Sequence, residues 1–171
     1  ISGGHSQYLS VQNLGKYKRL GTTIDDALGE AFDKTAKLLG IEFPGGPQIE
    51  ILAKKGDPKK YSLPKPIFNK GGCNLSFAGL KTAVLKISKK IKTEQEKFDL
   101  AASFQNTIEE ILNKKTKIAF NEFEKLNNPA EKIFVVAGGV AANKKIRSML
   151  INLCRENNYK SIFPPIELCG D

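Results

Sequence analysis

Histidine is nearly absent from this chain, which has one such residue, His5, among 171. A self-contained histidine metal site or a Ser/His/Asp triad needs more than this, and the zinc-protease pattern HExxH is missing too. Both classes of hydrolase are therefore disfavoured. A lone histidine is usually structural, so that is the first interpretation of His5. The alternative, which makes it the one candidate catalytic residue, is a hydrogen bond to a ligand phosphate or carbonyl.

Cysteine and long apolar runs are also scarce. The chain has three cysteines, which lie too far apart for a CxxC metal or redox pattern. We therefore expect them to be buried thiols in a reducing cytoplasm. No stretch approaches the roughly 20 apolar residues that span a bilayer. These features predict a soluble, cytoplasmic protein. The cysteines are Cys73, Cys154 and Cys169.

Charge of one sign is in excess: 27 Lys and Arg against 18 Asp and Glu give a net charge of +9. Such an excess permits attraction to a polyanion, because Lys and Arg contacts to phosphate drive nucleic-acid binding. Yet the lysines are spread along the chain, often in pairs such as Lys114-Lys115, and such pairs are more often solvated than aligned on phosphates. Charge alone does not predict an RNA partner.

The first third of the chain predicts a hairpin followed by helices. Residues 1–14 and 17–21 are two apolar, β-branched segments around a short glycine turn, which is typical of a β-hairpin. Apolar positions recur at helical spacing over 24–39, with Thr23 as the N-cap and Gly40 as the stop.

Beyond this helix, Pro47 suits the first turn of a shorter one that ends near Gly56. Residues 57–75 have prolines and glycines without periodicity and predict an irregular excursion, whereas 77–91 and 94–126 are amphipathic helices.

The last third predicts a strand-turn-helix-strand unit. Residues 133–136 form a short apolar run that ends in glycines, 141–157 has helical periodicity, and 161–163 returns as a strand. We therefore predict an α/β domain with a mixed sheet and flanking helices.

Two glycine pairs suit a nucleotide. In Ser2-Gly3-Gly4, backbone N–H groups can approach a phosphate, although the motif alone is an ordinary turn. Gly138-Gly139 leads from a strand into a helix start, where the backbone can pack on a purine and the Asn143 amide can reach its edge. Neither GxGxxG nor a P-loop is present, and the plain alternative is a tight strand-helix connection.

Two further features lie on and after the first helix. Glu30 and Asp33 are three residues apart, which places their carboxylates on one helix face. Most such carboxylates face solvent, but a buried one could accept hydrogen bonds from ribose hydroxyls. The turn 44–47 (Pro-Gly-Gly-Pro) is stiff and leaves its backbone free to approach a ligand.

The order of these motifs resembles the bacterial tRNA N6-adenosine threonylcarbamoyltransferase family, formerly labelled O-sialoglycoprotein endopeptidase. The resemblance covers essentially the whole chain and rests on five segments: 1–7, 24–34, 43–47, 75–82 and 137–143. It implies the actin-like ATPase (ribonuclease H-like) fold. We expect residues 1–171 to be its nucleotide-binding second lobe, without the N-terminal lobe.

The resemblance also implies the site. The residues implied to bind the substrate nucleotide are Ile1, Ser2, Gly3 and Gly4 at its phosphates and Asp33, Gly46 and Asn143 at its ribose and base. Asp171 matches a metal ligand, the metal being iron in this family. The other ligands belong to an HxxxH pair that would precede Ile1. We therefore expect this segment alone to be inactive.

The implied reaction transfers a threonylcarbamoyl group from threonylcarbamoyl-AMP to N6 of the adenine 3′ of the anticodon in tRNA. The implied partners are tRNA and TsaB-like and TsaE-like subunits, and the bound nucleotide is an adenylate or ATP. Two alternatives remain: a non-catalytic nucleotide-binding scaffold of the same assembly, or a small-molecule kinase of the same fold. The kinase is disfavoured because no aspartate lies convincingly beside Gly3-Gly4.

Overall fold

The structure is a computed structural model that describes residues 4–127, 129 and 131–169, without the Glu167 side chain. Its first element is an antiparallel β-hairpin. Strand β1 is Gln7–Asn13 and strand β2 is Lys16–Thr22. Gly15 lies in the connecting turn with a φ of 75°, a conformation that favours glycine. The predicted hairpin is confirmed, although its first strand begins at Gln7 and residues 4–6 precede it.

Helix α1, Leu28–Leu38, begins four residues later than predicted, and Thr23 is not its cap. The backbone of Thr23 instead forms a β-bridge with Leu75, and its N–H donates to the Ser6 carbonyl at 2.9 Å. These partners hold the chain extended through position 23, which helical spacing does not reveal. Gly40, with a φ of 76°, ends the helix as expected.

Helix α2 is Gly45–Ala53, and the segment 57–75 after it contains no helix or strand, apart from the single bridge at Leu75. The predicted irregular excursion is confirmed. One of its anchors is Lys115, whose Nζ donates to the carbonyls of Lys70 at 2.9 Å and Gly72 at 3.1 Å.

Lys115 is fully buried, so the expectation that lysine pairs are solvated is wrong at this position. Its burial lowers the pKa of its ammonium group. The two carbonyl acceptors compensate in part for the lost hydration, which is why a buried lysine is tolerated here.

Helix α3 is Ala78–Ser88 and helix α4 is Glu94–Asn127, both close to their predicted bounds. The N-terminus of α3 is held by Asp25, which accepts hydrogen bonds from the Phe77 N–H at 2.8 Å and from the Ser76 hydroxyl. Helix α4 forms the middle of the core through its fully buried side chains Leu100, Phe104, Ile108, Ile111 and Leu112.

The predicted strand-turn-helix-strand unit is confirmed. Strand β3, Ile133–Val135, pairs in parallel with strand β4, Lys160–Ile162, across helix α5, Lys144–Glu156. A 3₁₀ turn at Gly139–Ala142 precedes α5, so that the α-helix begins three residues after the predicted position. A second 3₁₀ turn, Ile166–Leu168, follows β4.

The sheet is divided, which corrects the prediction of one mixed sheet. Within the described residues, β1-β2 and β3-β4 are separate two-stranded sheets. Both contact the C-terminal half of α4: the Tyr8 hydroxyl hydrogen-bonds Thr116 at 2.9 Å, and Phe134 packs edge-on against Phe120. Local periodicity identifies strands but does not show which distant strands pair, so the sequence does not reveal that the sheet is divided. The α/β class itself is confirmed.

The prediction of buried thiols is also confirmed, since all three cysteines are free and buried. Burial raises the pKa of the Cys154 thiol to about 11. None of the helices in the described part of the chain has the length and hydropathy that a bilayer span needs.

Candidate functional site

A cleft of about 490 Å³ lies between α1 and the segment that leads into α2. Its volume is in the range that accommodates small-molecule ligands. Its walls combine aliphatic and aromatic side chains with carboxylates and lysines. The lining residues are Glu30, Asp33, Lys34, Ala36, Lys37, Ile41, Glu42, Phe43 and Gly45.

Asp33 fixes the entrance to α2 at this cleft. Its Oδ1 accepts a hydrogen bond from the Gly45 N–H at 3.0 Å, which supplies a partner for the free N–H at the start of the helix. A Cβ at Gly45 would lie 2.5 Å from Cβ of Ala36, so only glycine permits this approach. A carboxylate can accept several hydrogen bonds, so Asp33 keeps acceptor capacity for a ligand.

Gly46, the next residue, lies in a different environment. A Cβ at Gly46 would meet no heavy atom within 4 Å. Its backbone is therefore not crowded by the protein, and a side chain placed there would point into open space. The open space would allow a ligand to approach the backbone at this position.

The acidic side of the cleft is partly neutralised by lysines. Lys34 forms ion pairs with Glu30, four residues earlier, and with Asp26 at 3.6 Å. A hydrogen bond from Lys81, together with Lys34, holds the pKa of Asp26 below its usual range. The prediction that Glu30 and Asp33 share one helix face agrees with their position along the same cleft.

Asn143 caps helix α5. Its Oδ1 accepts hydrogen bonds from the N–H groups of Lys145 at 3.1 Å and Ile146 at 3.0 Å. Its Nδ2 donates to Oε1 of Gln105 on α4 at 3.0 Å. The side chain is 8% exposed and is engaged by the protein on both sides. Its contact with a purine stays a prediction.

Helix α2 connects the predicted residues. At one end Gly45 is bonded to Asp33, and at the other Oε2 of Glu50 accepts from the Lys144 N–H at 3.3 Å, beside Asn143. The 3₁₀ turn after Gly138 also contacts α1. Asp33 and Gly46 therefore lie at the start of α2, whereas Asn143 is next to a residue that contacts the same helix at Glu50, and Asn143 does not line the cleft.

Gly138 and Gly139 form the turn that delivers the chain to Asn143. Gly138 has a φ of 95°, a region that L side chains rarely adopt. A Cβ at Gly139 would lie 3.7 Å from the Cys169 carbonyl oxygen, so the segment after β4 passes beside this turn.

Gly4 and His5 lie at the start of the hairpin and are not among the residues that line the cleft. Nε2 of His5 is 2.6 Å from the Thr22 hydroxyl oxygen on β2. The convergence of Gly4 and Gly138-Gly139 on one adenylate stays a prediction, as does a catalytic role for His5.

The remaining predicted site residues, Ile1, Ser2, Gly3 and Asp171, lie outside the described residues. Among the described residues no three His, Cys, Asp or Glu side chains are grouped as a metal site. Iron binding through Asp171, which lies outside the described residues, stays a prediction.

The sequence assigns no role to three residues of this region: Glu50, Gln105 and Phe43. Glu50 accepts a hydrogen bond from the Lys144 N–H, and the only sign of this in the sequence is a single carboxylate between two isoleucines. Gln105 is one of many polar residues on the long amphipathic helix α4, so nothing in the sequence distinguishes it. Phe43 was noticed as part of a motif, but its exposure depends on the fold.

Helices packed on small sheets, a parallel strand-helix-strand unit and a ligand-sized cleft at a helix start define an α/β protein. The profile of the family described as tRNA N6-adenosine threonylcarbamoyltransferase matches residues 1–171. The chain belongs to the tRNA N6-adenosine threonylcarbamoyltransferase family.

Curated relatives with this name are closely similar. One from Pelagibacter ubique (strain HTCC1062) is 80% identical over 171 residues, which is 100% of this chain and 48% of the relative. One from Rickettsia rickettsii (strain Sheila Smith) is 54% identical over 99% of this chain and 50% of the relative. One from Rickettsia bellii (strain OSU 85-389) is 52% identical with the same coverage. The chain thus spans about half the length of the curated relatives it matches.

Proposed function

We propose that the protein containing this chain transfers a threonylcarbamoyl group from threonylcarbamoyl-AMP to N6 of the adenine 3′ of the anticodon in tRNA. In this proposal the chain is a nucleotide-binding lobe of an actin-like ATPase fold. Family membership over the full 171 residues supports it, and the observation that carries it is the ligand-sized cleft lined by Asp33 and Gly45, with Gly46 next along the start of α2.

The described residues have distinct parts in holding the donor nucleotide. Asp33, anchored by Gly45, offers carboxylate lone pairs to ribose hydroxyls. Gly46 leaves room for the ligand against the backbone, because no protein atom occupies the space beside it. In this proposal Gly138-Gly139 and Asn143, which do not line the cleft, contact the base from the side of α5.

The chemistry is acyl transfer to nitrogen. N6 of the acceptor adenine attacks the carbamoyl carbonyl carbon, the N–C bond forms, the C–O bond to the adenylate phosphate breaks, and AMP leaves with the bonding electrons. N6 then loses a proton to solvent. This nitrogen is a weak nucleophile because its lone pair is delocalised into the ring, so much of the acceleration must come from positioning the two reactants.

The acceptor and the partners follow from the same proposal. A base in an anticodon loop is unpaired and can turn out of its stack into a pocket. Iron, with Asp171 as one ligand, would supply a Lewis acid for the carbonyl. Partner subunits of the TsaB-like and TsaE-like kinds complete the proposed assembly in the cytoplasm.

The proposal is tested with the full-length protein and its partner subunits, by measuring transfer of labelled threonine from threonylcarbamoyl-AMP to tRNA and, separately, the affinity for AMP. Asp33→Asn retains an Oδ1 that can accept from Gly45 but loses the carboxylate charge. We expect about tenfold weaker AMP binding and slower transfer, the effect of losing one charged hydrogen bond to ribose.

Leu14→Ala is the matched control, because Leu14 is 92% exposed at the hairpin turn and does not line the cleft. Absence of transfer by the complete wild-type assembly would reject the enzymatic proposal. Transfer with unchanged AMP affinity in Asp33→Asn would remove Asp33 from the nucleotide site.

A further inference from the structure

Phe43 is a phenylalanine in an unusual position. Its side chain is 84% exposed, whereas the nine other phenylalanines of the chain are buried or partly buried. Single exposed apolar side chains are common on protein surfaces, so it is the position of this ring beside a cleft, rather than its exposure alone, that indicates a ligand contact. Phe43 also borders the cleft that contains Asp33.

The backbone around Phe43 is tied down. Two residues later, the Gly45 N–H is bonded to Asp33, and the close contact of Gly45 with Ala36 holds this segment against α1. Ile41, two residues earlier, donates its N–H to the Ala36 carbonyl at 3.0 Å. Phe43 therefore projects from a short segment whose backbone is fixed to α1 on both sides, so the ring is attached at a defined point on the rim of the cleft.

The charges of the cleft indicate which part of a nucleotide fits here. Three carboxylates, Glu30, Asp33 and Glu42, and two lysines, Lys34 and Lys37, line it, so negative charge is in excess by one, and Lys34 is already paired with Glu30. A phosphate group placed among these carboxylates would be repelled, whereas an uncharged ring would not. Ala36 and Ile41 add apolar surface beside Phe43. The cleft thus suits the nucleoside end of a ligand, with its phosphates directed elsewhere.

We propose that Phe43 is a base-stacking residue, whose ring packs against the adenine of the nucleotide that Asp33 holds by its ribose. This inference rests on the proposed function, because it names an additional binding residue of the same site. A base stacked on an aromatic side chain gains affinity through its π face and the apolar area it buries. In return, the nucleotide covers the ring that the protein alone leaves in water.

The test measures AMP affinity of the full-length protein by calorimetry for Phe43→Ala, Phe43→Leu and Phe43→Tyr. We expect about tenfold weaker binding for Phe43→Ala, the loss expected from one base-stacking contact. Phe43→Leu restores apolar volume without a π face and should remain several-fold weaker than wild type. Phe43→Tyr keeps the ring and should bind as wild type does. Urea midpoints should stay unchanged in all three, because the ring is exposed.

Leu14→Ala serves as the control, since it shortens an exposed apolar side chain away from the cleft. Wild-type AMP affinity in Phe43→Ala would overturn the inference, and so would wild-type affinity in Phe43→Leu, which would show that aromaticity is not used. Failure of the wild-type protein to bind AMP would instead reject the nucleotide site of the proposed function.

Discussion

Asn143 donates a hydrogen bond through Nδ2 to Oε1 of Gln105 over 3.0 Å, and the two side chains are only 8% and 6% exposed. This bond fixes the start of α5 to the central helix α4, while Oδ1 of Asn143 caps α5. The residue that the family resemblance assigns to the nucleotide base is therefore also a structural residue. A substitution there changes stability as well as binding, and experiments must separate the two effects.

Replacing Asn143 with alanine should lower the free energy of unfolding by about 1–2 kcal/mol, because a helix cap and a buried hydrogen bond are lost together. Urea unfolding of the full-length protein, followed by far-UV circular dichroism, measures the change. Asn143→Asp is the matched variant, since it keeps an acceptor for the Lys145 and Ile146 N–H groups and should recover part of the loss. Equal stability of Asn143→Ala and wild type would contradict the capping role.

The adjacent glycines of α2 should respond differently to alanine. Gly45→Ala places a Cβ 2.5 Å from Cβ of Ala36 and should destabilise the protein by about 1–3 kcal/mol through overpacking. Gly46→Ala meets no protein atom within 4 Å and should leave the urea midpoint within error of wild type. Its AMP affinity should nevertheless fall, since the added methyl group occupies space proposed for the ligand.

A different outcome would contradict the prediction for each of the two variants. A stable Gly45→Ala protein would show that α1 and α2 separate easily at this point. Unchanged AMP affinity in Gly46→Ala would mean that the nucleotide does not pass beside Gly46.

Lys115→Met should loosen the excursion 57–75 without a comparable loss of global stability. The substitution removes the hydrogen bonds to the Lys70 and Gly72 carbonyls but also the cost of burying an ammonium group. Amide exchange around residues 70–72, read by mass spectrometry, should become about tenfold faster, the effect of losing one or two hydrogen bonds. Lys117→Met, on an exposed position of the same helix, is the control. Equal exchange in the two variants would show that Lys115 does not anchor this segment.

Stability should depend on pH through Asp26. Its pKa in the folded protein is lowered, mainly by the hydrogen bond from Lys81, relative to an unfolded value near 3.9. The stabilisation is therefore present above about pH 4 and is lost as the pH falls through the folded-state pKa. Asp26→Asn should lose stability at pH 7 and show a shallower decline of the urea midpoint toward pH 3. Glu131→Gln, at an exposed carboxylate, should keep the wild-type pH profile, and an identical profile in Asp26→Asn would refute the ion-pair explanation.

Several elements of the fold were predictable because local spacing carries them. The length of α4 follows from apolar residues at helical intervals over more than thirty positions, and Gly15 and Gly40 mark turns because their positive φ angles favour glycine. The parallel β3-α5-β4 unit was recognisable from a short apolar run, two glycines and a periodic segment. The family was recognisable for a related reason, since its motifs are contiguous and keep their order.

Other features required the folded molecule. Thr23 was mistaken for a cap because its true partner, Leu75, is 52 positions away, and the burial of Lys115 depends on carbonyls 43 and 45 residues distant. The exposure of Phe43 and the link from Glu50 to Lys144 likewise arise only when α1, α2 and α5 meet. Periodicity reports which side of an element is apolar, because that is a property of neighbouring residues. The pairing of hydrogen-bond donors with acceptors is decided by distant segments, because a hydrogen bond depends on proximity in space rather than on separation along the chain.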